Sequence, residues 1–317
     1  MEGTNGTVDL RRPFGVVSSD AAGTASPLPT SIAPSRSLGR AAPTVSHGGP
    51  KRAAPRISVI IPSFNSGRFL RQALTSVLDQ VPRPHEILVQ DGGSTDETAS
   101  ILQSFGDRAA YVSAPDQGQS DALNKALARA TGDIVLWLNA DDMLMPGSIE
   151  AATAAFASDP ELAFAYGDFD IIDGAGTLLR TYQSSPYSWS RVYRRGCYIF
   201  SGSLFVRRRS LIDIGAFDPT LRACMDFDLL LRLDGTGRSR HLGRTIGQFR
   251  MHRANKSSNM GVLFVREGFR VRRRYARGSP RLWLLALRAV IWFGLMEATA
   301  RLRYSSRWFR HGGSKTL

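Results

Sequence analysis

The sequence predicts an α/β protein built on a mainly parallel sheet with helices on both faces, and three observations carry that prediction. Short apolar runs alternate with segments of helical periodicity over residues 57 to 144. Each apolar run ends on polar or acidic residues. Proline and glycine punctuate the junctions, as at Val81-Pro82-Arg83-Pro84 and Asp91-Gly92-Gly93.

Residues 1 to 54 are rich in Gly, Ala, Ser, Thr and Pro without apolar periodicity, and are expected to form a disordered tail. Ile57, Val59, Ile60 and Ile61 make the first buried strand, which Pro62 ends because it lacks a ladder N–H. Phe69, Leu70, Ala73, Leu74, Val77 and Leu78 then recur at helical spacing. Glu86 to Gln90 is the second strand. It runs into Asp91, after which Ser94 and Glu97 have the spacing of a capping box that opens the next helix. A short strand near Ala110 to Ala114, a helix from Gln119 to Ala130 and the run Ile134 to Leu138 complete the alternation.

Further on, Tyr166 to Asp170 and Thr177 to Tyr182 alternate as a hairpin, with Asp173-Gly174 as its turn. Ser201 to Val206 reads as a strand leading into a helix, with Arg207, Arg208 and Arg209 as a solvated helix start. A diphosphate or acidic-lipid contact is the alternative for those arginines.

The chain has 317 residues, of which 43% are apolar, enough for a substantial core. Its net charge of +14 divides unevenly, with −1 over residues 57 to 260 and +11 over 261 to 317. A nucleic-acid-binding domain would spread its basic residues over the folded face, so nucleic acid is not an expected partner. Cys197 and Cys224 lack the spacing of a zinc site or a disulfide framework and read as free thiols in a reducing compartment. The first 30 residues show no basic start followed by an apolar run, so the expected location is cytoplasmic.

In a parallel sheet, ligands lie beyond the carboxyl ends of the strands. Here those ends present Pro62-Ser63-Phe64-Asn65, Asp91, Asp116 and Asn139-Ala140-Asp141-Asp142 on one edge. Asp91 beside an aromatic such as Phe64 suits the N–H edge of a stacked nucleobase, and Gly92 and Gly93 let backbone approach a ligand closely. Asp141 and Asp142 suit Mg2+ or Mn2+, which would offset the charge of a diphosphate. The plainer alternative is that one of the pair caps the helix starting near Pro146 and the other is solvated. Neither a Gly-x-x-x-x-Gly-Lys-Ser/Thr loop nor a Gly-x-Gly-x-x-Gly fingerprint is present, so a P-loop nucleotidase and a dinucleotide oxidoreductase do not fit.

Four stretches together resemble family 2 glycosyltransferases of the GT-A fold: Ile60 to Asn65, Gln90 to Asp96, Gln117 to Lys125, and Leu138 to Asp142. The resemblance covers about residues 57 to 256. It implies inverting transfer of a hexosyl or deoxyhexosyl group from a nucleotide sugar to an acceptor. Asp91 would lie at the base, Asn139 at the ribose, and Asp141 and Asp142 on the metal. Asn139 stands where the family's Asp-x-Asp motif begins with an acid. Leu123 replaces an arginine found in many relatives, and either Lys125 supplies the charge or Leu123 is simply a core position.

Met225-Asp226-Phe227-Asp228 occupies the place of the family's acidic pair. Asp226 is the expected catalytic base, with helix capping as the alternative and Asp228 as a structural partner. Phe249-Arg250-Met251-His252 resembles the closing motif, which implies His252 as a further metal ligand. His47, His85, His241 and His311 are read as surface or tail residues.

Residues 261 to 317 read as a separate basic, amphipathic, helical tail. Leu282 to Ala300 includes Arg288 and Glu297, so an interfacial helix on an anionic membrane is preferred to a span or to packing on the catalytic domain. The expected function is extension of a cell-envelope glycan or glycolipid, from a UDP- or dTDP-sugar, on the inner face of the cell membrane. The domain boundaries expected are 54/55 and 260/261, with a donor half to about residue 145. A nucleotidyltransferase and a non-catalytic binding module are the alternatives, although Pro62 to Gly67 is not the glycine-rich loop of the former.

Overall fold

The computed structural model describes residues 54–252, 254–256, 260–292 and 294–295. The tail expected over residues 1 to 54 lies outside the described residues apart from Ala54, as do His47, His311 and the end of the 282 to 300 segment.

The predicted alternation forms: β1 (Ile57–Ser63), α1 (Gly67–Leu78), β2 (Glu86–Asp91), α2 (Thr98–Phe105), β3 (Ala110–Ser113), α3 (Gln119–Arg129) and β4 (Ile134–Trp137). β1 pairs in parallel with β2 and β4, and β2 with β3. β1 continues through Pro62 instead of stopping there. Its pairing with β4 ends at Ile60, so Pro62 faces a strand partner only on the β2 side, where it sits opposite Gln90.

The second half extends the same sheet with strands paired in both senses, antiparallel except where Leu162–Ile172 runs parallel to Arg238–Arg250. β5 (Met143–Leu144), α4 (Ser148–Ser158), β6 (Leu162–Ile172), β7 (Leu178–Tyr182), α5 (Trp189–Arg195), β8 (Leu204–Arg207), α6 (Arg208–Asp213), α7 (Met225–Arg232) and β9 (Arg238–Arg250) follow in order. The strand order is β3-β2-β1-β4-β8-β6-β9-β5, with β7 paired to β6 as the predicted hairpin. The run of arginines serves structure: Arg207 and Arg208 donate to the carbonyls of Leu162 and Gly132.

Strand pleating sorts side chains to two cores. Ile57, Val59 and Ile61 pack with Leu70, Leu74 and Val77 of α1 and Leu102 of α2 on one face, while Ile60 joins Leu123 and Leu127 of α3 on the other. Each such buried aliphatic stabilises the fold by about 1.5–3 kcal/mol. Leu123 is fully buried, so it is a core position.

Two local expectations are replaced by other bonds. The capping box does not form: Ser94 bonds Asp91, and Asp96 accepts from the Thr98 N–H at 3.0 Å. α4 is capped by Gln80, whose Oε1 takes the N–H groups of Ser148 (3.0 Å) and Ile149 (3.3 Å). Asp141 and Asp142 are therefore released from that duty.

The boundary expected at residue 260 is not one in the structure. α8 (Gly261–Ala276) buries Val271 in the same core as α5 and α7, together with Ala276, Glu267 and Arg272. A further helix over residues 280–292 follows Gly278, which has φ +77°.

Candidate functional site

Asp91 does not face the edge as expected. It is fully buried, and its Oδ2 accepts from the N–H groups of Gly93 (3.2 Å) and Ser94 (3.0 Å) and the Ser113 hydroxyl (2.6 Å). The Ser94 hydroxyl occupies Oδ1 at 2.5 Å. A carboxylate so engaged organises the β2–α2 turn, and its full burial closes it off from the edge. Asn65 is likewise engaged: its Oδ1 accepts from Thr95 N–H at 2.9 Å, and its own N–H donates to Ser94 at 2.7 Å. Pro62 stays in the strand.

The group that does face this end is Asp116. Its Oδ1 takes the Gly118 N–H at 2.8 Å, and its Oδ2 lies beside Gly92, next to the Phe64 ring, which is 64% exposed. A Cβ at Gly92 would stand 2.7 Å from Asp116 Oδ2 and 3.2 Å from the Phe64 ring. Glycine here is what lets the aromatic face and the carboxylate converge.

At the end of β4, Asn139, Asp141 and Asp142 have separate duties. Trp137 Nε1, a donor only, fixes Asn139 Oδ1 toward itself at 2.8 Å, and Gln119 donates to the same oxygen at 2.7 Å. Asn139 Nδ2 therefore faces Asp142 Oδ2 at 2.8 Å, and the Arg250 N–H reaches Asp142 Oδ1 at 2.9 Å. Asp142 is fully buried, and burial, then the Asp141 charge, push its pKa well up. The expectation of two metal-facing carboxylates is thus corrected: Asp142 turns inward to lock the loop, and Asn139 has its amide engaged. Among the described residues no three His, Cys, Asp or Glu side chains form a metal cluster.

Asp141 faces outward. Its Oδ2 lies 2.9 Å from His252 Nε2, across 111 residues of sequence, because β9 runs beside β6, pairs with β5 and delivers His252 just past its end. The His252 ring packs 4.7 Å from Phe69, and Asn255 donates to the same Asp141 oxygen at 3.3 Å. Arg250, fully buried, holds the loop from beneath. It donates to the Asp141 carbonyl at 2.9 Å and to Gln72 at 2.6 Å, over the Phe69 ring. A carboxylate oxygen and an imidazole nitrogen this close form a donor pair that suits a transition-metal cation such as Mn2+ better than Mg2+.

Lys256, which the sequence reading did not single out, completes this edge. Lys256 Nζ donates to Gln119 Oε1 at 2.9 Å and lies within electrostatic reach of Asp116 and Asp141. Gln119 thus links it to Asn139. No motif marks Lys256, because only the return of the chain after β9 brings it back to α3. Lys125 instead pairs with Asp121 at 2.9 Å and donates to the Pro115 carbonyl at 3.2 Å, at the rim near Asp116.

Asp226 occupies the first turn of α7, half-buried, with its Oδ1 accepting the Phe227 N–H at 2.7 Å. Burial raises its pKa. The Cys197 thiol donates to the Ile199 carbonyl at 3.0 Å, and burial, then the nearby Asp226 charge, raises it well above its ordinary value. Asp228 is structural: fully buried, it pairs with Arg232 at 2.7 Å and Arg274 at 3.0 Å. α3 ties the two halves of the edge together, since Ser120 donates to the Leu221 carbonyl at 2.8 Å and Asn124 exchanges two bonds with Phe217.

Solved structures define the class. The fold is that of GT-A glycosyltransferases. It superposes on Staphylococcus aureus TarS residues 1–349 with UDP-GlcNAc at a TM-score of 0.54, with 19% identity, covering 68% of this chain and 66% of that one. It superposes on the mannosyltransferase PcManGT of Pyrobaculum calidifontis, in complex with GDP-Man and Mn2+, at 0.56, with 20% identity and 84% and 78% coverage. Residues 58–215 match the model of glycosyl transferase family 2. A PGL/p-HBAD biosynthesis glycosyltransferase of Mycobacterium bovis is 32% identical over 190 residues, which is 57% of this chain and 70% of that protein. Chondroitin synthase of Escherichia coli is 28% identical over 213 residues; they make up 64% of this chain but only 30% of that longer protein. The chain belongs to glycosyl transferase family 2.

Proposed function

We propose that the protein is an inverting, metal-dependent glycosyltransferase that moves a sugar from a nucleoside-diphosphate sugar to a glycan or lipid-linked acceptor of the cell envelope. The observation that carries this reading is the Asp141–His252 pair on the same sheet edge as the Phe64–Gly92–Asp116 recess. Asp116 takes over the role first given to Asp91: its Oδ2 accepts from N3–H of uracil or thymine stacked on Phe64, so a UDP or dTDP donor is favoured. Asp141 and His252 would hold a divalent cation, which would supply positive charge against the departing diphosphate. Lys256 adds a second positive charge. Asp226 takes the proton of the acceptor hydroxyl while that oxygen bonds the anomeric carbon and the bond to the diphosphate breaks. The relatives whose names speak of chondroitin and PGL/p-HBAD synthesis support an envelope glycan or glycolipid product.

Calorimetry with UDP, dTDP and GDP, each with Mn2+ and with chelator, tests the donor site. The expected result is Mn2+-dependent binding of UDP or dTDP. Binding of none under either condition would overturn the reading in favour of a non-catalytic module.

The helix past α8 packs Leu282 and Leu285 on the core, where the Tyr193 hydroxyl donates to the Leu282 carbonyl at 2.9 Å, and its other face supports a membrane-surface location. Leu284, Leu287, Ile291 and Leu295 are 51–61% exposed at helical spacing, beside Trp283, Trp292 and the exposed Arg281 and Arg288. Among the described residues no helix is long and apolar enough to cross a membrane. Co-sedimentation with phosphatidylglycerol-containing vesicles is expected, weakened by salt and by Leu287→Glu with Ile291→Glu. Equal behaviour with neutral vesicles, or none with either, would remove the anionic surface as a partner.

A further inference from the structure

α8 lies outside the residues that match the family model, yet it grips the segment that carries Asp226. Glu267 is the sole acidic residue of this arginine-rich helix and is only 3% exposed. Its Oε2 accepts the N–H groups of Ala223 (2.8 Å) and Cys224 (3.0 Å), and the Arg222 N–H is shared between Oε1 (2.9 Å) and Oε2 (3.1 Å). Three consecutive amides thus converge on one carboxylate immediately ahead of α7. The last of them belongs to Cys224, the N-cap residue, which supplies no side-chain cap of its own.

The remainder of α8 fixes the approach. Arg270 donates to the Thr220 carbonyl at 3.0 Å, the Arg272 guanidinium lies 4.5 Å over the Phe227 ring, and Arg274 bonds Asp228 Oδ1 at 3.0 Å. These anchors, at residues 220 to 224 and at 227 and 228, bracket position 226 on both sides. Charge-assisted bonds to a carboxylate are about twice as strong as neutral ones. Buried N–H groups deprived of such a partner would draw the segment toward water.

We propose that Glu267 is a positioning residue for the acceptor-activating carboxylate: it sets the backbone of residues 222 to 224, and through it the first turn of α7 and the direction of Asp226. The inference rests on the reading of Asp226 as the base. A displacement of about 1 Å at a reacting group costs on the order of 100-fold in rate, whereas a plain stabilising contact moves only the melting temperature. The bonds of Glu267 go to residues 222 to 224 and Arg270 and to none of the donor residues Asp116, Asp141 and His252, so donor affinity is not expected to follow it.

The test compares Glu267→Gln, Glu267→Asp and Asp226→Asn in the full chain. It measures melting temperature, UDP or dTDP binding with Mn2+, and steady-state turnover of the glucose-bearing form of whichever nucleotide binds. Gln keeps the volume and one acceptor oxygen, but removes the charge from these bonds and sets an NH2 where Oε1 accepts from the Arg222 N–H. Its kcat is expected to fall about 10- to 100-fold with donor KM within about twofold of wild type. Asp keeps both oxygens, withdrawn by one methylene, and is expected to recover part of that loss. An inactive Asp226→Asn beside a Glu267→Gln of wild-type kcat would overturn this inference alone. Wild-type turnover in Asp226→Asn would overturn the reading of the base and this inference with it. If Glu267→Gln fails to fold, wild-type kcat in Glu267→Asp overturns the proposal, and a reduced kcat at unchanged donor KM sustains it.

Discussion

Asp226→Asn is expected to lower kcat by about a thousandfold while leaving Mn2+-dependent nucleotide binding intact. A positioned general base contributes about 10²–10⁴ in rate, and the amide cannot accept the proton that the acceptor hydroxyl must lose. Asn retains an oxygen for the Phe227 N–H, so the helix start survives. The sign of the stability effect separates catalysis from capping. Burial raises the Asp226 pKa in the fold, so its ionised form opposes folding at neutral pH and its protonated form does not. The Asn variant should therefore melt at the same temperature as wild type or higher at pH 7. In the wild type, kcat/KM should fall with acid through a pH above the ordinary aspartate range, because the base must be ionised. Turnover at the wild-type rate in Asp226→Asn would remove this residue as the base.

The adjacent acids of the β4 loop should respond to alanine in opposite ways. Asp141→Ala removes the outward carboxylate that faces His252; the buried Asn255 Nδ2 keeps its bond to the Arg250 carbonyl, and the His252 ring, partly open to solvent, loses its Asp141 partner. The variant should retain its melting temperature and lose metal-dependent nucleotide affinity by at least about 100-fold, the upper end of what losing a mere supporting partner costs. Asp142→Ala strands the Arg250 N–H and Asn139 Nδ2 in a fully buried place, at about 1–3 kcal/mol for each donor. Its melting temperature should drop, with loss of nucleotide binding following from the disordered loop. A stable Asp142→Ala that had lost metal dependence, beside an unaffected Asp141→Ala, would reverse the assignment of inward and outward carboxylates.

Much of the donor half was legible because its signals are local. Ile57 to Ile61, the helical spacing of Phe69 to Val77 and the run Ile134 to Leu138 each declare an element within a dozen residues. Strand alternation with helices then places Asp116 and Asp141 on one edge. The errors have one cause. Asp91, Asn65, Asn139 and Asp142 are polar residues at strand ends, and nothing local distinguishes a side chain aimed at a ligand from one aimed at a neighbouring turn. Ser113 and Ser94 decide Asp91, and Trp137 and Arg250 decide the Asn139–Asp142 loop. Gln80 capping α4 from 68 residues away is the same effect.

The C-terminal segment shows the limit most clearly. Its composition reads as a basic tail, since arginines at helical spacing are ordinarily solvated. The structure instead buries Arg272 against Phe227 and Glu267 under the residues that precede α7. The sequence by itself determined the α/β alternation, the edge on which the strand-end polar residues gather and the residue types available there, because hydrophobic periodicity and strand-end chemistry act over a few residues. Which carboxylates face outward, which histidine meets Asp141 and which helix sets Asp226 were decided only by tertiary structure. Those choices depend on hydrogen bonds between segments 40 to 110 residues apart, whose partners exist only once the sheet has closed.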